Sequence, residues 1–147
     1  RSTLFPYTTL FRSPYSVFVV VRSSNPEGQA LQTARMSSGE TVAQSLCREI
    51  TARNLRQRKD GLGPIGAVVG ATCTDADETV AALPNSFVLA PGVGAQGATM
   101  RDVLARMPAG RGRVLPNVSR AILANGSRRE EIRTTIASLQ DQARALL

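Results

Sequence analysis

Short apolar runs alternate along this chain with segments in which apolar residues recur every three or four positions. Four runs predict β-strands: SVFVVVR (16–22), IGAVVG (65–70), SFVLA (86–90) and RVL (113–115). Apolar periodicity predicts helices over 40–58 and from 127 onward, and capping signals predict further helices after residue 25 and over 75–83, 99–107 and 117–126. Four strand–helix units indicate an α/β fold with parallel strands, arranged either as a doubly wound sheet or as a (β/α) barrel.

Local signals refine these elements. The β-branched run 16–22 is typical of a strand buried on both faces. Asn25 followed by Pro26 offers a helix N-cap and a first-turn proline. TDAD (74–77) and TMRD (99–102) have the Thr-x-x-Asp form of a capping box, and Asn117 is placed to cap the short helix after the last strand. On helix 40–58 the predicted apolar stripe is Val42, Leu46 and Ile50.

The net charge is positive, with 18 basic and 11 acidic residues giving a formal charge of +7. Such a charge is compatible with a basic nucleic-acid-binding module. The basic residues are scattered, however, and aromatic residues do not interleave with them as a base-stacking surface requires. Nucleic-acid binding is therefore disfavoured and stays open as the non-enzyme alternative.

Composition also bears on compartment and metal binding. No apolar run approaches the roughly 20 residues that cross a bilayer. Cys47 and Cys73 lack CxxC spacing and the chain has no histidine, which disfavours a zinc site. We expect buried free thiols in a reducing compartment, and therefore a cytoplasmic protein.

The loop GVGAQG contains the spacing G-x-G-x-x-G at Gly92, Gly94 and Gly97. A dinucleotide-binding fingerprint would begin its helix inside this motif and place an acidic residue after the next strand. Here the helix signal is Thr99, after the motif, and the following segment RVLPNVSRA has no Asp or Glu. Both features that a dinucleotide-binding loop requires around this motif are therefore missing, which argues against a dinucleotide site.

A phosphate site of the barrel type suits the same residues better. In such barrels the last two strand–helix loops often hold a phosphate together with a short helix. Ser119 and Arg120 fall in the first turn of the short predicted helix, and the glycine loop adds backbone amides and the Gln96 side chain. The alternative is that the glycines only make a tight turn and that Arg120 is a solvated surface residue.

Four motifs in this order resemble the bacterial branch of the orotidine 5′-monophosphate decarboxylase family: RSSNPEG, GAVVGAT, LAPGVGAQGA and LPNVSRAIL. The resemblance runs from residue 15 to residue 147. It implies a (β/α)₈ barrel that works as a homodimer and converts orotidine monophosphate to UMP without a cofactor. By position, it assigns Ser24 to the pyrimidine ring, Gln96 to the region between phosphate and base with the Gly97 backbone nearby, and Arg120 to the phosphate.

The catalytic residues of that family are missing from this chain. The resemblance calls for alternating Asp and Lys residues in a D-x-K signature, which occurs nowhere in the sequence. Lys59 is the only lysine and lies between a helix and the next strand, on the barrel face that serves stability. With four strand–helix units instead of eight, we expect residues 14–147 to be the C-terminal half of the barrel, with no catalytic residue of its own.

The segment TLFPYTTLFRS (3–13) shows neither a helical nor a strand period. All eleven of its residues match one reading frame of a widely used short-read sequencing adapter. We therefore expect residues 1–13 to be an assembly artefact rather than a domain.

The leading interpretation is a fragment of orotidine monophosphate decarboxylase whose small-molecule partner is orotidine monophosphate or UMP. The alternative enzyme is another phosphate-binding barrel lyase or isomerase. Such an enzyme would have the glycine loop without Ser24 and its SNPEG loop.

Overall fold

A computed structural model describes residues 16–58, 60–94, 96–124, 126 and 128–144. Segment 1–13 and Lys59 lie outside the described residues, so the expectations for them stay predictions. The strands are β1 (Val17–Arg22), β2 (Ile65–Val69), β3 (Val88–Pro91) and β4 (Val114–Asn117). The helices are α1 (Pro26–Gln32), α2 (Val42–Gln57), α3 (Ala76–Ala81), α4 (Met100–Arg106), α5 (Arg120–Ala124) and α6 (Arg129–Arg144). The four predicted strand–helix units are thus confirmed.

The strands form one parallel sheet in the order β1-β2-β3-β4. Each crossover therefore moves one strand further in the same direction, and right-handed crossovers of this kind place all the helices on one face. A doubly wound sheet would instead reverse direction and carry helices on both faces. The strand order favours the barrel among the two predicted architectures.

The two faces of the sheet differ in what covers them. One row across the sheet, Val19, Ala67, Val88 and Val114, faces the helices, and Ala67 and Val88 are fully buried there. The other face carries a second apolar row, Val20, Val68, Leu89 and Leu115. Val20 is 56% exposed and Leu115 is 40% exposed. The prediction that β1 is buried on both faces is therefore wrong for the described residues, because no described element packs on the second face. This open apolar face corresponds to the inside of a barrel.

The capping box predicted at 99–102 is present at the start of α4. The Thr99 hydroxyl accepts a hydrogen bond from the Asp102 N–H at 3.1 Å, and the Asp102 carboxylate accepts one from the Thr99 N–H at 2.8 Å. A second box, between Thr41 and Gln44, begins α2 and was not predicted. Asn25 precedes α1 as expected, but its side chain makes no capping hydrogen bond to the described helix.

The capping box predicted at 74–77 is wrong. Helix α3 begins one residue after Asp75, and no side chain caps it. Both carboxylates of this segment bind distant partners instead: Asp75 accepts from the Arg22 guanidinium, and Asp77 accepts from the Ala109 N–H at 3.0 Å. Asp77, the carboxylate of the predicted box, therefore accepts a hydrogen bond from a distant backbone group and does not take part in a capping box.

Helix α2 buries a different stripe from the predicted one. Its buried residues are Ala43, Cys47, Ile50 and Asn54, whereas Val42 and Leu46 are half-buried. Asn54 is fully buried, and its amide group donates to the carbonyls of Ile65 and Asn85 while accepting from the Ile65 N–H at 3.0 Å. An asparagine thus ties α2 to the start of β2.

Both cysteines are free and buried, as predicted. Cys47 lies in α2, and burial raises the pKa of its thiol to about 11, with a smaller contribution from the negative charge of Asp75. Burial is also the main cause that raises the pKa of the Cys73 thiol. Both groups are therefore neutral thiols at physiological pH.

This burial predicts slow alkylation of Cys47 in the folded chain. A pKa raised from 9.0 to about 11 leaves about 100-fold less thiolate at pH 8, and the thiolate is the reactive form. We expect iodoacetamide to label Cys47 at least about 100-fold more slowly without urea than in 8 M urea, as measured by peptide mass spectrometry. Cys73 serves as the internal comparison, and equal Cys47 rates in both solvents would contradict the buried assignment.

Candidate functional site

The residues predicted to bind phosphate and base all follow the carboxyl ends of strands. Ser24 comes two residues after β1, the glycine loop follows β3, and Ser119 and Arg120 follow β4. Because the strands are parallel, these loops lie along one edge of the sheet. In barrel enzymes this is the edge that carries the active site.

A cavity of about 200 Å³ opens between the loops after β3 and β4. It is lined by Pro91, Gly92, Val93, Gln96, Asn117, Ser119 and Arg120. Four of the residues predicted from the sequence thus line one space: Gly92, Gln96, Ser119 and Arg120. The two loops converge as expected, although what they bind is a separate question.

Two glycines allow this convergence through their conformation and small size. Gly92 has a φ of 125°, and a Cβ there would lie 3.0 Å from the Gln96 side-chain oxygen. Gly94 has a φ of 74°, and its Cβ would lie 2.5 Å from the Ala121 Cβ in α5. Both positions combine a left-handed backbone with close contact, which only glycine tolerates. Gly94 therefore lets the loop after β3 touch α5 beside Arg120.

The backbone amides of the loop are partly used within it. The Gly94 N–H donates to the Ala98 carbonyl at 2.8 Å, and the Gly97 N–H donates to the Gly94 carbonyl at 3.0 Å. These two groups therefore shape the loop in this conformation. Gly97 is exposed and does not line the cavity, so its predicted role beside the ligand stays a prediction.

Side chains supply the polar groups of the cavity. Among its described lining residues, Arg120 alone is charged, and it forms no ion pair with any described residue. The Ser119 hydroxyl donates to the Asn117 side-chain oxygen at 3.3 Å, which leaves the Asn117 amide nitrogen as a further donor. One cation beside side-chain amide donors, without a lining carboxylate, suits an oxyanion such as a phosphate.

Ser24 lies beside this cavity rather than in it. Its hydroxyl donates to the Gln96 side-chain oxygen at 3.5 Å across 72 residues of sequence. Gln96 therefore has the cavity on one side and Ser24 on the other. This arrangement agrees with the position that the resemblance gives Gln96, between a phosphate and a base, although the binding roles stay predictions.

Asn117 lines the cavity, although the sequence did not predict it there. It was predicted to cap the short helix, and that prediction is wrong because Asn117 is the last residue of β4 while α5 begins at Arg120. The available signal was its place directly after a strand, where polar residues of barrels commonly face the active site.

The described residues contain no cluster of three or more His, Cys, Asp or Glu residues able to hold a metal ion. No helix among them is long and apolar enough to cross a membrane.

Comparison with known proteins identifies the relatives of this chain. Residues 6–135 match the sequence model of the orotidine 5′-phosphate decarboxylase / HUMPS family. The matched range begins inside segment 1–13, which lies outside the described residues, so the artefact assignment stays a prediction.

Individual relatives agree with the family match. The chain is 40% identical to orotidine 5′-phosphate decarboxylase of Myxococcus xanthus, over 88% of the chain and 46% of the relative. It is 46% identical to the enzyme of that name from Salinispora tropica, over 75% of the chain and 38% of the relative. The chain thus spans less than half the length of these curated relatives.

The fold has solved counterparts as well. A crystal structure from Streptomyces avermitilis, described as that of an orotidine 5′-phosphate decarboxylase, superposes with a TM-score of 0.74 at 36% identity. The superposition covers 88% of this chain and 45% of the other. The sequential parallel sheet is therefore part of a (β/α)₈ barrel, and the chain belongs to the orotidine 5′-phosphate decarboxylase / HUMPS family.

Proposed function

We propose that this chain provides the phosphate- and pyrimidine-binding loops of an orotidine 5′-phosphate decarboxylase. The observation that carries the proposal is the cavity that holds Arg120 at one end and reaches Ser24 through Gln96 at the other. Membership of the family supports the same substrate, a nucleoside monophosphate. In the whole enzyme the reaction releases CO₂ from orotidine monophosphate and leaves UMP.

The size of the cavity supports a division of the ligand into two parts. A volume of about 200 Å³ is smaller than the roughly 300–1,000 Å³ of typical pockets for complete small molecules. It has room for a phosphate group, while the ribose and base would extend toward Ser24 along the edge of the sheet. Binding energy from a phosphate far from the reacting carbon can be used to assist chemistry there.

The chemical step itself falls to residues that this chain does not carry. The sequence has no D-x-K, and Lys59 is its one lysine. We propose that the chain binds ligand but does not decarboxylate orotidine monophosphate by itself, and that the whole enzyme is a cytoplasmic homodimer. The free buried thiols support a reducing compartment, and the resemblance supports the dimer.

The test compares UMP with ribose 5-phosphate in calorimetric titrations of the purified chain. We expect UMP to bind about 2- to 10-fold more tightly, because one net hydrogen bond between Ser24 and the base contributes about 0.5–1.5 kcal/mol. Equal affinities would favour a different phosphate-binding barrel lyase or isomerase. Binding of DNA or RNA with a steep salt dependence, without UMP binding, would favour the nucleic-acid alternative.

Turnover provides the second readout for this proposal. Incubation with orotidine monophosphate should release no CO₂ above a protein-free blank. Measurable release would contradict the statement that the catalytic residues lie outside this chain.

A further inference from the structure

Arg22 is a buried cation that the candidate site does not use. It is the last residue of β1 and is 4% exposed. Its Nε donates to both carboxylate oxygens of Asp75, at 3.0 and 2.8 Å. Asp75 follows β2, so the pair joins the loops at the carboxyl ends of two neighbouring strands. A buried arginine without a carboxylate partner strongly destabilises the fold, so we expect Arg22 to keep its contact with Asp75.

Gln32 extends the pair to the residue that precedes Ser24. Its side-chain oxygen accepts from the Ser23 N–H at 2.9 Å and from Arg22 Nη1 at 3.4 Å, and its nitrogen donates to the Ser23 hydroxyl at 3.3 Å. Gln32 is 8% exposed and ends α1. Gln32 therefore holds Ser23 through both its backbone N–H and its side-chain hydroxyl.

Two glycines hold the same loop by close packing. A Cβ at Gly28 would lie 2.6 Å from the Ser23 hydroxyl, and a Cβ at Gly70 would lie 3.3 Å from the Ser24 backbone nitrogen. The Gly70 N–H also donates to the Arg22 carbonyl at 2.9 Å. The loop after β1 is thus bound by hydrogen bonds and packed on two sides, and Ser24 is directed at Gln96.

We propose that Arg22, Gln32 and Asp75 are positioning residues for pyrimidine selection, acting through Ser24 without touching the ligand. This inference rests on the proposed function, since it takes Ser24 as the contact to the base. A displacement of Ser24 of about 1 Å suffices to lose a hydrogen bond, whereas the phosphate contacts of Arg120 lie on other loops. Disrupting the network should therefore reduce discrimination between ligands rather than phosphate affinity.

The experiment measures the affinities of UMP and ribose 5-phosphate for wild type, Gln32→Leu and Arg22→Met. Gln32→Leu removes the three hydrogen bonds of the amide and keeps the Arg22–Asp75 pair, so it decides the question even where Arg22→Met fails to fold. We expect the preference for UMP to fall by about 2- to 10-fold with unchanged ribose 5-phosphate affinity.

Arg113→Met is the matched control. Arg113 is a half-buried arginine, whose guanidinium donates to the carbonyls of Val80, Leu83, Ser86 and Ala109. It precedes β4 and therefore lies at the opposite end of the sheet from the loops. This variant should lower the urea midpoint while leaving the UMP preference unchanged.

The outcomes separate the two levels of the hypothesis. A wild-type chain without preference for UMP overturns the proposed function and this inference with it. A wild-type preference that persists in folded Gln32→Leu overturns the positioning role alone. Equal losses for both ligands would also overturn it, because they would show general damage to the site.

Discussion

We expect Arg120→Ala to lower the affinity of the chain for UMP by about 10- to 100-fold. Hydrogen bonds to a charged group contribute about 1.5–3 kcal/mol, and Arg120 is the one charged residue among the described residues that line the cavity. Arg120→Lys should fall between wild type and Arg120→Ala, because an ammonium keeps the charge but lacks the planar fork that binds a phosphate with two hydrogen bonds. Isothermal titration calorimetry at fixed ionic strength measures both changes.

The control for this prediction is Arg111→Ala, which removes an equal charge from an exposed position on another loop. It should change UMP affinity little, since exposed charges at a distance are screened by salt. Uridine provides a ligand control because it lacks the phosphate, and its weak binding should be the same in wild type and Arg120→Ala. Similar losses for Arg111→Ala and Arg120→Ala would reduce the role of Arg120 to net charge.

The second large effect concerns stability. Asn54→Ala should lower the free energy of unfolding by about 3 kcal/mol or more, because each buried polar group left without a partner costs about 1–3 kcal/mol. The substitution would leave the Ile65 N–H and carbonyl without their Asn54 partner in the interior, whereas the Asn85 carbonyl would keep its hydrogen bond from the Gly63 N–H. Urea denaturation gives the stability, and hydrogen exchange at the Ile65 amide reports on the site directly.

Two further variants test the cause of this loss. Asn54→Leu should not restore stability, because a leucine fills space but satisfies none of these backbone groups. Gln57→Ala, at an exposed position of the same helix, should change the stability by less than about 0.5 kcal/mol. Wild-type stability in Asn54→Leu would show that the position requires volume rather than hydrogen bonds.

The sequence predicted local features well. The four strands follow from their apolar runs and the helices between them from periodicity and capping signals, and the Thr99–Asp102 box was found because its two residues lie three positions apart. The polar loops after β3 and β4 were placed together correctly, since parallel strands bring their carboxyl ends to one edge. Each of these inferences depends on residues close in sequence or on the parallel arrangement.

The features that the sequence did not predict all concern polar side chains. Asp77 of the predicted capping box accepts from the Ala109 N–H, 32 residues away, and Asn54 of helix α2 is buried by hydrogen bonds to backbone groups 11 and 31 residues away. Asn117 became a cavity residue because β4 extends further than its apolar run. In each case the surroundings of the polar side chain depend on residues that only the folded chain brings close to it.

The sequence by itself therefore determined the order of the elements, the glycine turn after β3 and the polar residues that end the strands. The tertiary structure decided which polar groups pair, that Arg120 and Gln96 line one cavity, and that one face of the sheet stays open in the described residues. The physical reason is range: periodicity and capping act within a few residues, whereas the pairing of buried charges and amides depends on distances across the sheet.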